Sequence, residues 1–142
     1  MRFMVMVKAN DKSEAGIMPP ERLISEMMRF NEELVKAGVM LAGEGLQASS
    51  KGARVRFAGG TTSVIDGPFA ETKELIAGYW LWKCESLEEA IEWAKKIPNP
   101  ENIEHEVEIR TIFDHGACSE LVSQELQEQE ARLRAQAAAN QN

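Results

Sequence analysis

The stretch that decides the fold is Ile76-Ala77-Gly78-Tyr79-Trp80-Leu81-Trp82-Lys83-Cys84. Successive side chains of a β-strand point to opposite faces of the sheet. Trp80 and Trp82 therefore share one face, whereas Tyr79 and Leu81 share the other. Because both faces are apolar, the pattern predicts a strand that is buried on both sides. Residues 2–8 alternate in the same way and predict a second strand of this kind.

Two amphipathic helices are predicted, one before and one after this central strand. The first covers 20–37 and ends at Gly38, with apolar residues at helical spacing at Leu23, Met27, Phe30 and Leu34. The second begins at Ser86, where Ser86 and Glu89 have the spacing of a capping box, and Pro98 stops it. Each helix therefore has an apolar face to bury against a sheet.

Shorter patterns predict the remaining strands, at 39–46, 54–57, 63–66 and 104–113. The pair around Gly59-Gly60 has the signature of a β-hairpin. The order of elements is then strand, helix, strand, hairpin, strand, helix, strand. This order predicts an α+β fold, namely a ferredoxin-like antiparallel sheet with two helices on one face plus an inserted hairpin.

The apolar second face of the sheet predicts an assembly. Helices cover one face of such a sheet, yet the strands at 2–8 and 76–84 are apolar on both faces. The same face of a second copy is a simple cover, so we expect a homodimer joined sheet to sheet. The sheet domain is expected to cover 1–113. Residues 114–142 are rich in Gln, Glu and Ala and predict an acidic amphipathic helix that frays into a disordered end.

Composition excludes several classes of protein. The 142 residues fit one domain with a tail, and the net charge is −7. Since no run of basic residues is longer than Lys95-Lys96, we expect no nucleic-acid partner. No apolar run approaches the length of a membrane helix, and residues 1–8 are too short for a signal peptide, so we expect a cytoplasmic protein without a membrane partner.

Cysteines and histidines give no recognisable catalytic or metal motif. Cys84 and Cys118 lack metal-ligand spacing, and Cys84 is interpreted as a buried reduced thiol. His105 is predicted at the start of the last strand, and His115 in an exposed loop. We expect no metal and no cofactor.

The loop Asp66–Glu74 combines charged side chains with residues that constrain the backbone. Asp66 either accepts hydrogen bonds in the turn at Gly67-Pro68 or acts as a general base or ligand-binding carboxylate. Glu71 and Glu74 are three residues apart with Lys73 between them. They either form a solvated turn in which Lys73 balances the charge, share acid and base duties, or hold a divalent metal ion through their oxygen atoms.

Glu44 is a further candidate because it lies between Gly43 and Gly45. Glycines allow close approach of the backbone, so the Glu44 carboxylate either faces a cavity or lies at a bulge on an edge strand. Phe69 and Tyr79 are candidate apolar walls of a pocket, although aromatic residues on such strands also form cores and dimer interfaces.

The nine residues Asp66-Gly67-Pro68-Phe69-Ala70-Glu71-Thr72-Lys73-Glu74 match the eponymous string of the DGPFAETKE family, within the YCII-related superfamily. The flanking segments at 33–46, 77–80, 90–98 and 107–110 also resemble that family. The resemblance covers about residues 1–113. It implies a dimeric α/β-barrel built from ferredoxin-like halves.

The resemblance also bears on activity. Most members of the family have no known activity, and some resemble proteins encoded beside, or fused to, extracytoplasmic-function sigma factors. Relatives in the wider superfamily include enzymes that act on ring-cleavage products and are discussed around a His-Asp pair. Since the only histidines here are His105 and His115, both in the second half of the chain, that mechanism is not carried over.

Two hypotheses of function follow. The first is a homodimer that binds a small molecule in a carboxylate-lined pocket and carries out cofactor-free proton transfer or lyase chemistry. Its catalytic candidates are Asp66, Glu71 and Glu44, and its ligand-binding candidates are Lys73, Glu74, Phe69 and Tyr79. The second is a non-catalytic accessory or regulatory protein, with a partner linked to sigma factors.

Overall fold

A computed structural model describes residues 1–114 and 120–141, so His115 and Cys118 lie outside the described residues. The chain divides into two compact units, Met1–Ile112 and Phe113–Asn142. The first unit contains the strands β1 (Arg2–Lys8), β2 (Met40–Gly45), β3 (Ala53–Ala58), β4 (Thr61–Asp66), β5 (Ile76–Lys83) and β6 (Val107–Thr111). Its helices are α1 (Asp11–Glu14), α2 (Glu21–Lys36) and α3 (Leu87–Ala94), and the second unit contains α4 (Gln124–Ala139).

The main sheet has four strands in the order β2-β5-β1-β6, and all neighbouring strands are antiparallel. This is the strand order of a ferredoxin-like sheet. The predicted α+β class and antiparallel sheet are therefore confirmed. Strands β3 and β4 form a separate two-stranded hairpin, as the Gly59-Gly60 signature predicts.

The core lies between one face of this sheet and the helices. Trp82 lies opposite Phe3, and both side chains are fully buried. Phe30 of α2 contacts the rings of Trp80 and Trp82 at centroid distances of 5.9 and 6.3 Å, in edge-on geometry. Since α3 adds Ala90 to the same cluster, both helices pack on one face, as predicted. Edge-on aromatic pairs contribute about 0.5–1.5 kcal/mol beyond the area they bury.

The second face of the sheet is only half-buried in the single chain. Met4 lies opposite Leu81 and Met6 lies opposite Tyr79, and all four side chains are of intermediate exposure. Strands β1 and β5 therefore carry apolar side chains on both faces, as predicted. A single chain buries one of these faces and leaves the other half-exposed.

Helix ends follow the sequence signals in part. Residue Gly38, with φ of 73°, comes two residues after the end of α2. The side chain of Ser86 accepts a hydrogen bond from the backbone N–H of Glu89 at 3.2 Å, as a capping box requires. The Glu89 carboxylate, however, accepts from the N–H of Glu85 at 2.7 Å, so the predicted reciprocal bond to Ser86 is replaced by one to its neighbour.

Three segments differ from the sequence pattern. The last strand begins at Val107 rather than at 104, so His105 precedes it. Residues 9–18, for which the sequence pattern predicts no element, contain the short helix α1, because Asn10 and Ser13 cap it reciprocally. Helix α4 includes the alanines 137–139 that the pattern assigned to a frayed end, since alanine is the best helix former. No helix within the described ranges is long and apolar enough to cross a bilayer.

We expect Gly43→Ala to destabilise the fold because Trp80 occupies the space beside Gly43. An added Cβ would lie 2.8 Å from Trp80 Cδ1 and 2.9 Å from the Cε atom of Met40. The indole is held in place, since its N–H donates to Asn31 Oδ1 at 2.9 Å. Overpacking of this kind costs about 1–3 kcal/mol, measured as the free energy of unfolding in urea.

The matched control is Gly45→Ala on the same strand, where an added Cβ meets nothing within 4 Å. An equal loss of stability in both variants would show that strand propensity, and not the contact with Trp80, sets the effect.

Candidate functional site

A cavity of about 360 Å³ lies beside the Asp66–Glu74 loop. Apolar side chains form much of its wall, and a few polar groups converge on it. Its lining residues come from α1, from the segment that links β2 to β3, from β3, from the loop and from the chain that enters β5: Glu14, Leu46, Gln47, Ala48, Ser49, Lys51, Gly52, Arg54, Phe69, Leu75 and Ile76. This volume lies at the low end of the range found for small-molecule sites.

Ser49 joins three segments of chain at this cavity. The Glu14 carboxylate accepts hydrogen bonds from the backbone N–H of Ser49 at 3.0 Å and from its hydroxyl group. The Ser49 hydroxyl in turn accepts from the backbone N–H of Phe69 at 3.1 Å. Both Glu14 and Ser49 are half-buried, so these bonds are partly shielded from water.

Gly67 is required here by a close backbone contact. Its N–H donates to the carbonyl of Gly52 at 3.1 Å, and an added Cβ would lie 1.8 Å from the carbonyl oxygen of Ser49. No other residue type fits that space without displacing the backbone. The loop therefore lies directly against the segment around Ser49, and the Gly67–Pro68 peptide bond is cis.

Two cations face the cavity without an ion pair among the described residues. The Cζ atom of the Arg54 guanidinium lies 3.8 Å from the centroid of the Phe69 ring, a cation–π contact. Lys51 ends the short 3₁₀ turn Ser49–Lys51. Since the ring covers one face of the guanidinium, the N–H groups at its edge stay available to a ligand.

Among the predicted loop residues, Phe69 lines the cavity and the charged ones do not. Asp66 is exposed at the end of β4, opposite Ala53 of the hairpin. Glu71 is exposed with φ of 59°, and its carbonyl accepts the N–H of Glu74 at 2.8 Å in a 3₁₀ turn. Lys73 and Glu74 are also exposed.

Glu44 and Tyr79 lie elsewhere, opposite each other on the second face of the sheet. Glu44 is exposed on β2, which is an edge strand whose pairing shifts between Met40 and Ala42. The edge-strand interpretation of Glu44 therefore fits better than the cavity interpretation. The sequence candidates do not form one constellation, because Glu44 and Tyr79 share no cavity wall with Phe69.

Several lining residues escaped sequence reasoning. Lys51 and Arg54 had a weak signal, since they stand close together in a strongly acidic chain. Ser49 belongs to a polar turn of the kind that is common on surfaces. Glu14 has no local signal, because its partner Ser49 is 35 residues away.

Other titratable groups within the described residues lie at a smaller cavity or in the core. His105 lines a second cavity, of about 130 Å³, together with Lys8. Lys8 already pairs with Glu108 at 3.3 Å. Burial, and to a lesser extent the Glu89 carboxylate, raises the pKa of the Cys84 thiol, which is free and buried as predicted. Within the described residues, no three His, Cys, Asp or Glu side chains come close enough to hold a metal ion.

The ferredoxin-like sheet and the loop beside its cavity define a small α+β domain, and comparison with known proteins gives its family. The model of the YCII-related domain matches residues 1–115, so the chain belongs to the YCII-related family. It is also 34% identical, over 98 residues, to an uncharacterized protein of Rhizobium meliloti (strain 1021). That match covers 68% of this chain and 79% of the relative. The relative's description states no activity.

We expect Ser49→Ala to loosen the loop, because the Phe69 N–H loses its acceptor and Glu14 loses one donor. Leaving such partly buried groups unsatisfied costs about 1–3 kcal/mol. The measurement is hydrogen exchange at the Phe69 amide, which should become faster in the variant. Ser50→Ala, at the exposed neighbouring position, is the control. Unchanged exchange in Ser49→Ala would mean that other contacts hold the loop.

Proposed function

We propose that this YCII-related protein binds a small molecule in the cavity beside Ser49. The observation that carries the proposal is the wall itself, in which apolar residues such as Leu46, Leu75 and Ile76 surround a few convergent polar groups. The complete nine-residue string at 66–74 further supports membership of the DGPFAETKE type within the family. In this proposal the string shapes one wall through Phe69.

In this proposal Glu14 carries any proton transfer in the cavity, because it supplies the carboxylate among the described lining residues. Ser49 holds that carboxylate in place through two hydrogen bonds. A general base needs to lie within hydrogen-bond reach of the proton that it removes. Catalytic roles for Asp66, Glu71 and Glu44 stay predictions, and they would place a reaction outside this cavity.

The test is to fill the cavity. Small molecules that stay bound to the protein on purification would be identified by mass spectrometry, and binding of fragments would be followed by ligand-observed NMR. Ala48→Phe should abolish both signals, because Ala48 lines the cavity. Ala58→Phe is the control, since Ala58 is exposed in the hairpin and does not line it.

Binding that survives in Ala48→Phe would place the ligand elsewhere. No bound molecule and no fragment hit would favour the accessory or regulatory alternative. One observation favours a protein partner: Leu121, Leu126 and Leu133 of the second unit are 84, 54 and 55% exposed. Capture of a partner that depends on residues 120–141 would then be the sign of that role.

We also propose a homodimer through the second face of the sheet, which would give the dimeric α/β-barrel. Its support is the half-buried set Met4, Met6, Tyr79 and Leu81, which a second copy would cover. Sedimentation of the wild type should give a dimer at micromolar concentration, and Leu81→Glu should shift it to monomer while circular dichroism stays unchanged.

The control is Leu87→Glu, since Leu87 is exposed at the start of α3 and away from this face. A wild-type protein that sediments as a monomer would contradict the proposed dimer.

A further inference from the structure

We infer that the ligand of this cavity carries a single carboxylate on a compact apolar body. The inference rests on the proposed function and names the class of ligand. Three features of the cavity favour such a ligand: the sign of its charge, the geometry of Arg54 and the apolar wall.

The charge of the cavity is opposite in sign to that of the whole protein. The chain carries −7, yet Lys51 and Arg54 line the cavity together with one carboxylate, that of Glu14. An acidic protein repels anions at long range, so two cations at one cavity favour an anion there by short-range contact. Because Glu14 offsets one of the two positive charges, the lining suits one negative charge better than two.

The Arg54 guanidinium is positioned for a planar anion. Its face is covered by the Phe69 ring at 3.8 Å, which restricts its rotation. Within the described part of the chain no carboxylate pairs with it. Guanidinium groups bind carboxylates through two parallel N–H···O bonds, and a guanidinium held in this way loses less entropy on binding.

The rest of the wall specifies the body of the ligand. Leu46, Ala48, Leu75 and Ile76 present aliphatic surface next to the cations. The Ser49 hydroxyl already donates to Glu14 and accepts from Phe69, so little of its hydrogen-bonding capacity is left for a ligand. Apart from the two cations, Gln47 is the lining side chain that can serve hydroxyl groups of a ligand, whereas an aromatic or branched apolar body would bury its surface against the aliphatic residues.

The test compares three probes with one shared ring system: 1-naphthoate, its neutral amide 1-naphthamide, and 1-naphthyl phosphate. Affinity is measured by calorimetry at low salt on the full chain. We expect the carboxylate to bind at least roughly tenfold more tightly than the amide, because the amide cannot form charge-assisted bonds. Arg54→Gln should remove this preference, so that the acid and the amide bind with similar affinity.

The matched control is Arg56→Gln, which changes charge by the same amount on the same strand at a residue that does not line the cavity. It should keep the preference for the carboxylate. Arg54→Lys should keep part of it, since the charge stays and the planar fork is lost. Equal effects of Arg54→Gln and Arg56→Gln would mean that general electrostatics is responsible, and would overturn the inference.

Other outcomes separate this inference from the proposed function. If acid and amide bind equally and Ala48→Phe abolishes both, the cavity is a binding site but the carboxylate inference is wrong. Tighter binding of the phosphate would also overturn it, in favour of a phosphate ligand. If no probe binds while a neutral molecule stays bound on purification, the proposed function stands without the inference. Binding that Ala48→Phe leaves intact would contradict both.

Discussion

The packing of Trp80 and Trp82 against Phe30 is the interaction on which the rest of the structure depends. Both indoles belong to β5, which lies between β2 and β1 in the sheet, so their position sets the register of three strands. Among the described residues the buried indole N–H of Trp82 has no acceptor, which costs about 1–3 kcal/mol. The apolar contacts of the two rings outweigh this loss. A glycine suits position 43 because the Trp80 ring occupies the space that a Cβ atom would need.

This core also positions the candidate site, because the first residue of β5 lines the cavity. Leu75 and Ile76 line the cavity, and the carbonyl of Leu75 accepts the N–H of Ala9 at 2.8 Å. The loop before β5 is therefore held at its end by the sheet and at its start by the contact of Gly67 with Ser49. Between these two anchors Phe69 lies under the Arg54 guanidinium. A rigid sheet that presents a loop in this way is a common arrangement for binding sites.

Sequence reasoning succeeded where the signal was periodic and failed where it depended on distant contacts. The strand pattern at 76–84 and the helix at 20–37 match the observed elements closely. The charged residues of the Asp66–Glu74 loop were predicted to form the site because they are ionisable, yet all four are exposed to solvent and lie outside the cavity. Within that string, Gly67 and Phe69 have a clear structural role. Gly67 allows the backbone to approach Ser49 closely, and the Phe69 ring contacts the Arg54 guanidinium. Neither contact could be deduced from composition.

The sequence by itself determined the α+β class, the antiparallel sheet, the hairpin and the two-sided apolar strands, because side-chain alternation and helical spacing are local properties of the chain. Only the tertiary structure decided that Glu14 meets Ser49 across 35 residues, and that Ser49 meets Phe69 across 20. It also decided that Arg54 and Lys51 line one wall. The physical reason is that a side chain's hydrogen-bonding capacity is visible in a sequence, whereas its partner is set by the path of the backbone, which the core packing determines.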